Sequence, residues 1–253
     1  MTGDEIILDA VRQGKPLKRL DLRDPKITDA GLVHLKGMTS LEELDLYRTK
    51  ITGTGLEHLK GLTKLKRLYL VDTQVADAGL EHLKGLTSLE ELLLSETQIT
   101  DAGLEHLKGM TSLVTLALST MPITDAGLEH LKGLTSLRHL YLGGTQITDA
   151  GLVHLKGITS LEVLSLNFTK ITDAGLEHLK GLTSLRHLNL DNTQVTDAGL
   201  AEIKAALPKC RVSGRPIRLT ERLWQWVRTN PIAAGFAGIS CWLLVRALWK
   251  SLR

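Results

Sequence analysis

The chain contains only two cysteines in 253 residues, Cys210 and Cys241. They give no disulfide framework, no zinc-ligand spacing and no cysteine–histidine pair, which fits a reducing compartment. Aromatic residues are equally scarce, at 4% of the chain. Ahead of Arg215 there are four of them, Tyr47, Tyr69, Tyr141 and Phe168. No phosphate-binding loop, dinucleotide fingerprint or nucleophile elbow occurs, so the sequence points away from an enzyme and implies no cofactor. The N-terminus, MTGDEIILDAV, starts acidic and does not read as a secretory signal. An excess of one charge is also missing ahead of Arg215. Of the 31 basic and 28 acidic side chains, seven and one lie from that residue onward, and the remainder nearly balance.

A repeat fills the space these absences leave. The phrase ITDAGLEHLKGLTSL, or a close variant, begins at Ile27, Ile51, Val75, Ile99, Ile123, Ile147, Ile171 and Val195, always 24 residues apart. Between the phrases runs L-x-x-L-x-L-x-x-T, as in LEELDLYRT from Leu41 and LRHLNLDNT from Leu185. Leu44 and Leu46 alternate with polar neighbours, which predicts a short strand. In the phrase, Asp101 reads as a helix N-cap, Leu104 and Leu107 share one helix face, and Gly109 reads as the stop. One strand and one short helix cannot bury their apolar sides alone. Stacked copies can, so the sequence predicts a curved α/β solenoid with a parallel sheet on one wall and helices on the other.

The motif L-x-x-L-x-L-x-x-T-x-I-T-D-A-G-L resembles that of leucine-rich repeat proteins. It is similar to the cysteine-containing and ribonuclease-inhibitor-like subclasses and, in its near-identical threonine form, to bacterial proteins of the planctomycete type. The resemblance spans about Leu17 to Val212. It implies a right-handed solenoid with the parallel sheet on the concave side and short helices on the convex side; a C-terminal hydrophobic helix is expected after it from the apolar run of the tail. The expected organisation is a capping helix over residues 1–16, with Thr2 and Glu5 at capping-box spacing and Gly14 as its stop. A solenoid of about eight repeats and a terminal cap follows over 17–214. A basic juxtamembrane segment would occupy 215–228, and a candidate transmembrane helix 229–249.

The C-terminal segment differs in composition. From Arg215 onward there are seven basic residues and one acid, Glu221. Because the positive charge adjoins an apolar run, nucleic-acid binding is not the expected reading. Thr229 to Val245 are 17 uncharged residues, close to the length of a membrane-spanning helix. Arg246 sits where it can snorkel, and Trp224, Trp226, Trp242 and Trp249 suit membrane interfaces. The expectation is a tail anchor contacting membrane lipid, with the solenoid facing the cytoplasm. An interfacial helix, docking onto the last repeat and self-association through the tail are the alternatives.

Candidate functional residues are sought where the copies differ and face outward. All four early aromatics fall on the outward positions of the strand motif, and aromatics and arginine commonly anchor interfaces. Tyr47, Tyr69, Val71 and Leu93 are expected to form one patch, flanked by Arg48, Arg67 and Glu91, with Tyr141 and Phe168 further along. The copy that reads STMPIT departs most, and its Met121 and Pro122 read as a local kink or a contact. The histidines from His34 to His178 recur once per repeat and read as a solvated convex row, not metal ligands, because ligands must converge on one point. The aspartates read as caps, and Thr49 and its equivalents as turn hydroxyls bonded to backbone. The functional expectation is a non-catalytic module gripping a protein or peptide ligand on its concave face. A structural spacer without a ligand and an adaptor subunit of a signalling or degradation complex are the runners-up.

Overall fold

The computed structural model describes residues 17–214 together with Glu5, Ile7 and Leu8. Its core element is one nine-stranded parallel sheet whose strands lie in chain order. They are β1 (Arg19–Asp21), β2 (Glu43–Asp45), β3 (Arg67–Tyr69), β4 (Glu91–Leu93), β5 (Thr115–Ala117), β6 (His139–Tyr141), β7 (Val163–Ser165), β8 (His187–Asn189) and β9 (Arg211–Ser213). The register advances by one full repeat at every step, from Leu20 opposite Leu44 to Leu188 opposite Val212. An unbroken sequence period therefore becomes an unbroken ladder, because no insertion displaces one copy against the next.

Each strand has three residues, and the middle one points inward. In the copy that contains β4, Leu89, Leu92, Leu94, Ile99, Leu104, Leu107 and Met110 are all at most 3% exposed. The same positions in every copy join into a single apolar core that runs along the solenoid. Opposite the sheet, the DAGL segments before the last form α-helices of four or five residues, as does GTGL at Gly53–Leu56. In five copies the helix tightens into a three-residue 3-10 turn such as Glu105–Leu107. That turn, continued by the Met110 amide donating to the Leu107 carbonyl at 2.9 Å, ends the helix. The expected stop at Gly109 is not used. Among the described glycines only Gly37 and Gly144 have positive φ, so Gly109 does not close its helix through the left-handed region.

The capping expectation also needs correction. The N-cap residue is the threonine before the aspartate; Thr100, for example, accepts from the Ala102 amide. The aspartate is the first helical residue, and its carboxylate reaches the next copy. Asp77 accepts from the Thr100 amide and hydroxyl, both at 2.7 Å, and Asp125 accepts from those of Thr148 at 2.8 and 2.6 Å. The row of aspartates thus staples each repeat to its successor. At Asp29, partial burial raises the carboxyl, but hydrogen bonds from the Thr52 hydroxyl and amide, the Thr54 hydroxyl and the Gly55 amide outweigh it and hold the pKa below the ordinary value. One joint lacks this staple, and both of its partners are missing from the sequence together. Gly53 stands where aspartate would be, and Ala76 where its threonine would be. The two helices close up instead, so that a Cβ on Gly53 would lie 2.8 Å from the Gly79 Cα.

The turn threonines behave as expected, with the hydroxyls of Thr49, Thr73 and Thr97 each donating 2.7 Å to the carbonyl three residues back. Met121 takes that place after β5, is 2% exposed and accepts from the Thr97 hydroxyl at 3.9 Å. It is core, neither a contact nor a kink, since the β5–β6 register is unbroken. The final copy replaces the short helix with a ten-residue one, Asp197–Ala206, before β9. At the other end Glu5, Ile7 and Leu8 are helical and Ile7 is fully buried. The rest of the capping helix expected over 1–16, the basic segment 215–228 and the candidate membrane helix 229–249 with Trp224, Trp226, Trp242, Arg246 and Trp249 lie outside the described residues. Among the described residues no helix is long and apolar enough to cross a membrane.

Candidate binding face

The first and third residues of each strand form the outward face of the sheet; a buried leucine follows each of β1–β8, and the two turn residues after it lie beside that face. The third-position row runs Asp21, Asp45, Tyr69, Leu93, Ala117, Tyr141, Ser165, Asn189 and Ser213, each opposite its neighbour in the ladder. At its polar ends this position has a local task. The carboxylates of Asp21 and Asp45 and the side-chain oxygen of Asn189 accept from the amide two residues on, at 3.3, 3.0 and 2.9 Å. Such a bond secures the turn after the strand. Tyr69, Leu93, Ala117 and Tyr141 cannot make it. The four central rungs give up a turn-stabilising acceptor and present a continuous apolar strip instead. Ala117, 8% exposed, forms its floor, and half-buried Tyr69 and Tyr141 stand at its two ends. With a strand spacing of roughly 4.8 Å, the strip is about 14 Å long.

The expected patch is partly assembled. Tyr69 and Leu93 are adjacent, as are Arg67 and Glu91 in the neighbouring first-position row. Val71 and Tyr47 lie half-buried just past the ends of their strands. Most of the polar groups in the patch are, however, already paired within the chain. Arg67 donates to Glu43 at 2.8 Å, and Arg19 approaches the other Glu43 oxygen at 3.0 Å. Glu43 is only 5% exposed. The Tyr69 hydroxyl donates to Glu91 at 3.2 Å. Burial raises the Tyr69 pKa to about 12, and the charges of Glu91 and Glu43 push it the same way. Arg48 donates to Asp72 at 3.2 Å and stands 5.1 Å from the centroid of the Tyr47 ring. Together Asp21, Arg23, Tyr47, Arg48 and Asp72 line a shallow groove of about 660 Å³.

Arg48 and Phe168 do not lie on the strands. Both occupy the turn position with φ near +60°, shared with Asp72, Glu96, Thr120 and Asn192. A left-handed residue reverses the chain there, so Arg48 and the 48%-exposed Phe168 project beyond the strand ends. Tyr141 belongs to the strip, but on the opposite side of Ala117 from Tyr69. The residues that sequence reasoning passes over are Ala117, the buried acids Glu43 and Asp45, and a set in the later rungs: His139, His187 and Arg211. A signal for the last set does exist in the letters. In the first-position row arginines and glutamates alternate from Arg19 to Glu91, and beyond Glu91 no acid follows.

The histidine row is not solvated as expected. His58, His82, His106, His130 and His154 are half-buried, and in each the Nδ1 atom is enclosed without a hydrogen-bond partner. Among the described residues no three histidine, cysteine or acidic side chains converge as a metal site would require.

The family model described as leucine rich repeat matches residues 15–75 and 87–147, and the two-copy model, leucine rich repeats, matches 135–178 and 159–202. No curated protein matches. Among solved structures, internalin C2 from Listeria monocytogenes is similar, with 28% identity and a TM-score of 0.62, over 78% of this chain and 80% of that one. The leucine-rich repeat ectodomain of the plant receptor kinase GASSHO1/SCHENGEN3 from Arabidopsis thaliana, solved in complex with CASPARIAN STRIP INTEGRITY FACTOR 2, shares the fold at 19% identity and a TM-score of 0.53, over 73% of this chain and 22% of that one. With the ladder, the repeat motif and these matches in agreement, the chain belongs to the leucine-rich repeat family.

Proposed function

We propose that the chain is a non-catalytic binding module that grips a protein or peptide on the outward, concave face of its sheet. The observation that carries this reading is the strip Tyr69–Leu93–Ala117–Tyr141. At these four rungs the fold would be served by aspartate or asparagine, as it is at Asp21, Asp45 and Asn189. Apolar side chains there do nothing for the turn, and a partner would cover them. The similar plant ectodomain, crystallised with a partner, supports the class of function by analogy of fold.

The test is capture of a partner from lysate by the full chain, compared between wild type and Tyr69→Ala/Tyr141→Ala. The substitutions are expected to weaken capture at least thirtyfold, since truncating an aromatic anchor costs on the order of 2 kcal/mol or more. Unchanged capture would move the site off this strip. A tether to membrane lipid through residues 229–249, with the solenoid on the cytoplasmic side, belongs to the same reading. It rests on the 17 uncharged residues from Thr229 and the flanking basic and tryptophan side chains. Alkaline-wash fractionation of the full chain tests it.

A further inference from the structure

The sheet face carries its charges unevenly, and the unevenness selects a partner. On β1–β3 and the turns that follow them, every arginine has a carboxylate partner. Arg19 and Arg67 share Glu43, Arg23 holds Asp21 at 2.5 Å, and Arg48 holds Asp72. Such pairs leave nothing for a ligand to neutralise. Past β4 the first-position row reads Thr115, His139, Val163, His187 and Arg211, and contains no acid. The Thr115 hydroxyl and the His139 Nδ1 lie 3.0 Å apart and satisfy each other. His187 and Arg211 are register partners on β8 and β9, both exposed. Among the described residues neither has an ion-pair partner. They line a concavity of about 320 Å³ with Tyr141, Val163, Ser165 and Asn189. Two acids lie near this end of the face, and neither lines the concavity. Asp191 is on the turn beyond β8, and Glu162, just ahead of β7, is paired with Arg138 and Arg186.

We propose that His187 and Arg211 form an anion-recognising subsite at the β8–β9 end of the face, which seats a carboxylate of the bound polypeptide. This rests on the sheet-face reading and adds to it the chemistry of the ligand. Guanidinium and imidazole groups side by side on adjacent strands offer several N–H donors to one carboxylate, and this geometry gives the stronger, charge-assisted hydrogen bonds. The apolar floor at Ala117 is on β5 and Arg211 is on β9, four strand steps away. At roughly 4.8 Å per step the two subsites are about 19 Å apart, and an extended chain rises roughly 3.3 Å per residue. The fitting ligand is therefore an extended segment with an apolar side chain and a carboxylate about six residues apart. The self-paired acids and bases of β1–β3 give the first rungs no comparable demand.

The experiment is panning of a displayed library of random twelve-residue peptides on the full-length chain. Winners are then resynthesised and titrated by fluorescence anisotropy against wild type, Arg211→Glu and Ala117→Trp. Winners are expected to carry an acid about six residues from an apolar residue. They should lose at least tenfold in affinity on Arg211→Glu and regain it when the peptide acid is exchanged for lysine. Free and amidated C-termini show whether the carboxylate is a side chain or a chain end. Winners sensitive to Ala117→Trp but indifferent to Arg211→Glu overturn the anion subsite and leave the sheet-face reading standing. Winners indifferent to both substitutions overturn both, and so does a library without enrichment. Tyr141→Ala replaces Ala117→Trp if the latter fails to fold by circular dichroism.

Discussion

The first four rungs of the sheet face and the last five share a backbone but treat charged groups in opposite ways. On β1–β4 the side chains answer one another: Arg19, Glu43 and Arg67 form a chain of ion pairs, and Tyr69 donates to Glu91. On β5–β9 the same positions hold Ala117, Val163, His187 and Arg211, and the ion pairs between face positions stop. The comparison separates two uses of a repeat. The recurring letters hold one copy to the next, whereas the varying letters either close the surface on itself or leave it open to a partner. An exposed ion pair adds little stability, so the ordered pairs on the early rungs mainly lower the demand of that surface for outside charge.

Leu92→Ala and Leu164→Ala each remove a fully buried side chain, one from each half. Each is expected to cost about 3 kcal/mol in urea denaturation. A loss well below that at Leu164 would mean that the halves differ in packing and not only in their faces. A smaller effect sharpens the contrast. Glu43→Ala strands Arg19 and Arg67, whose side chains keep 66% and 40% exposure and so recover water. The expected cost is about 1–2 kcal/mol, below that of breaking a fully buried pair. His187→Ala on the open half, exposed and without an ion-pair partner among the described residues, should stay within about 0.5 kcal/mol. Equal costs would erase the distinction between closed and open rungs.

The smallest effect is on ionisation. Tyr69 is held neutral until about pH 12 by burial and by the charges of Glu91 and Glu43. The folded pKa lies above the unfolded one, so this contribution to stability is fully present below about pH 10 and is lost as pH rises through about 12. Ultraviolet difference absorbance of the folded chain should show one late tyrosine, and Glu91→Gln should bring it forward. A spectrum without a late component would mean that Tyr69 is not part of the closed network.

Much of the fold is legible in the letters because the period is strict. Leu44 and its equivalents set the buried centre of each strand, and Thr49 and its equivalents secure the turn as their chemistry suggests. The site is legible as a region and less so as a set of side chains. Counting aromatics and large apolar residues at variable positions finds Tyr69, Leu93 and Tyr141. Reading the same variable positions also puts Arg48 and Phe168 on the sheet, because a sequence does not announce a left-handed turn at a residue other than glycine or asparagine. Ala117 escapes it because a small side chain matters only as a floor between larger neighbours. Local reading assigns the aspartates to their own helices, since a carboxylate that reaches into the next repeat leaves no nearby pattern. The joint at Gly53 and Ala76 shows that such a pattern exists at long range, because both halves of the missing staple vanish together.

By itself the sequence determined the repeat length, the inward leucines and the parallel stacking that follows from them, because one unit cannot bury its own apolar side. Which side chains became neighbours across the rungs was settled by the coiling of the chain. Register set Glu43 between two arginines, joined four apolar residues into a strip and left Arg211 beside His187, neither with an ion-pair partner among the described residues. Those outcomes depend on contacts between residues one repeat apart, where side chains meet only after the chain has coiled.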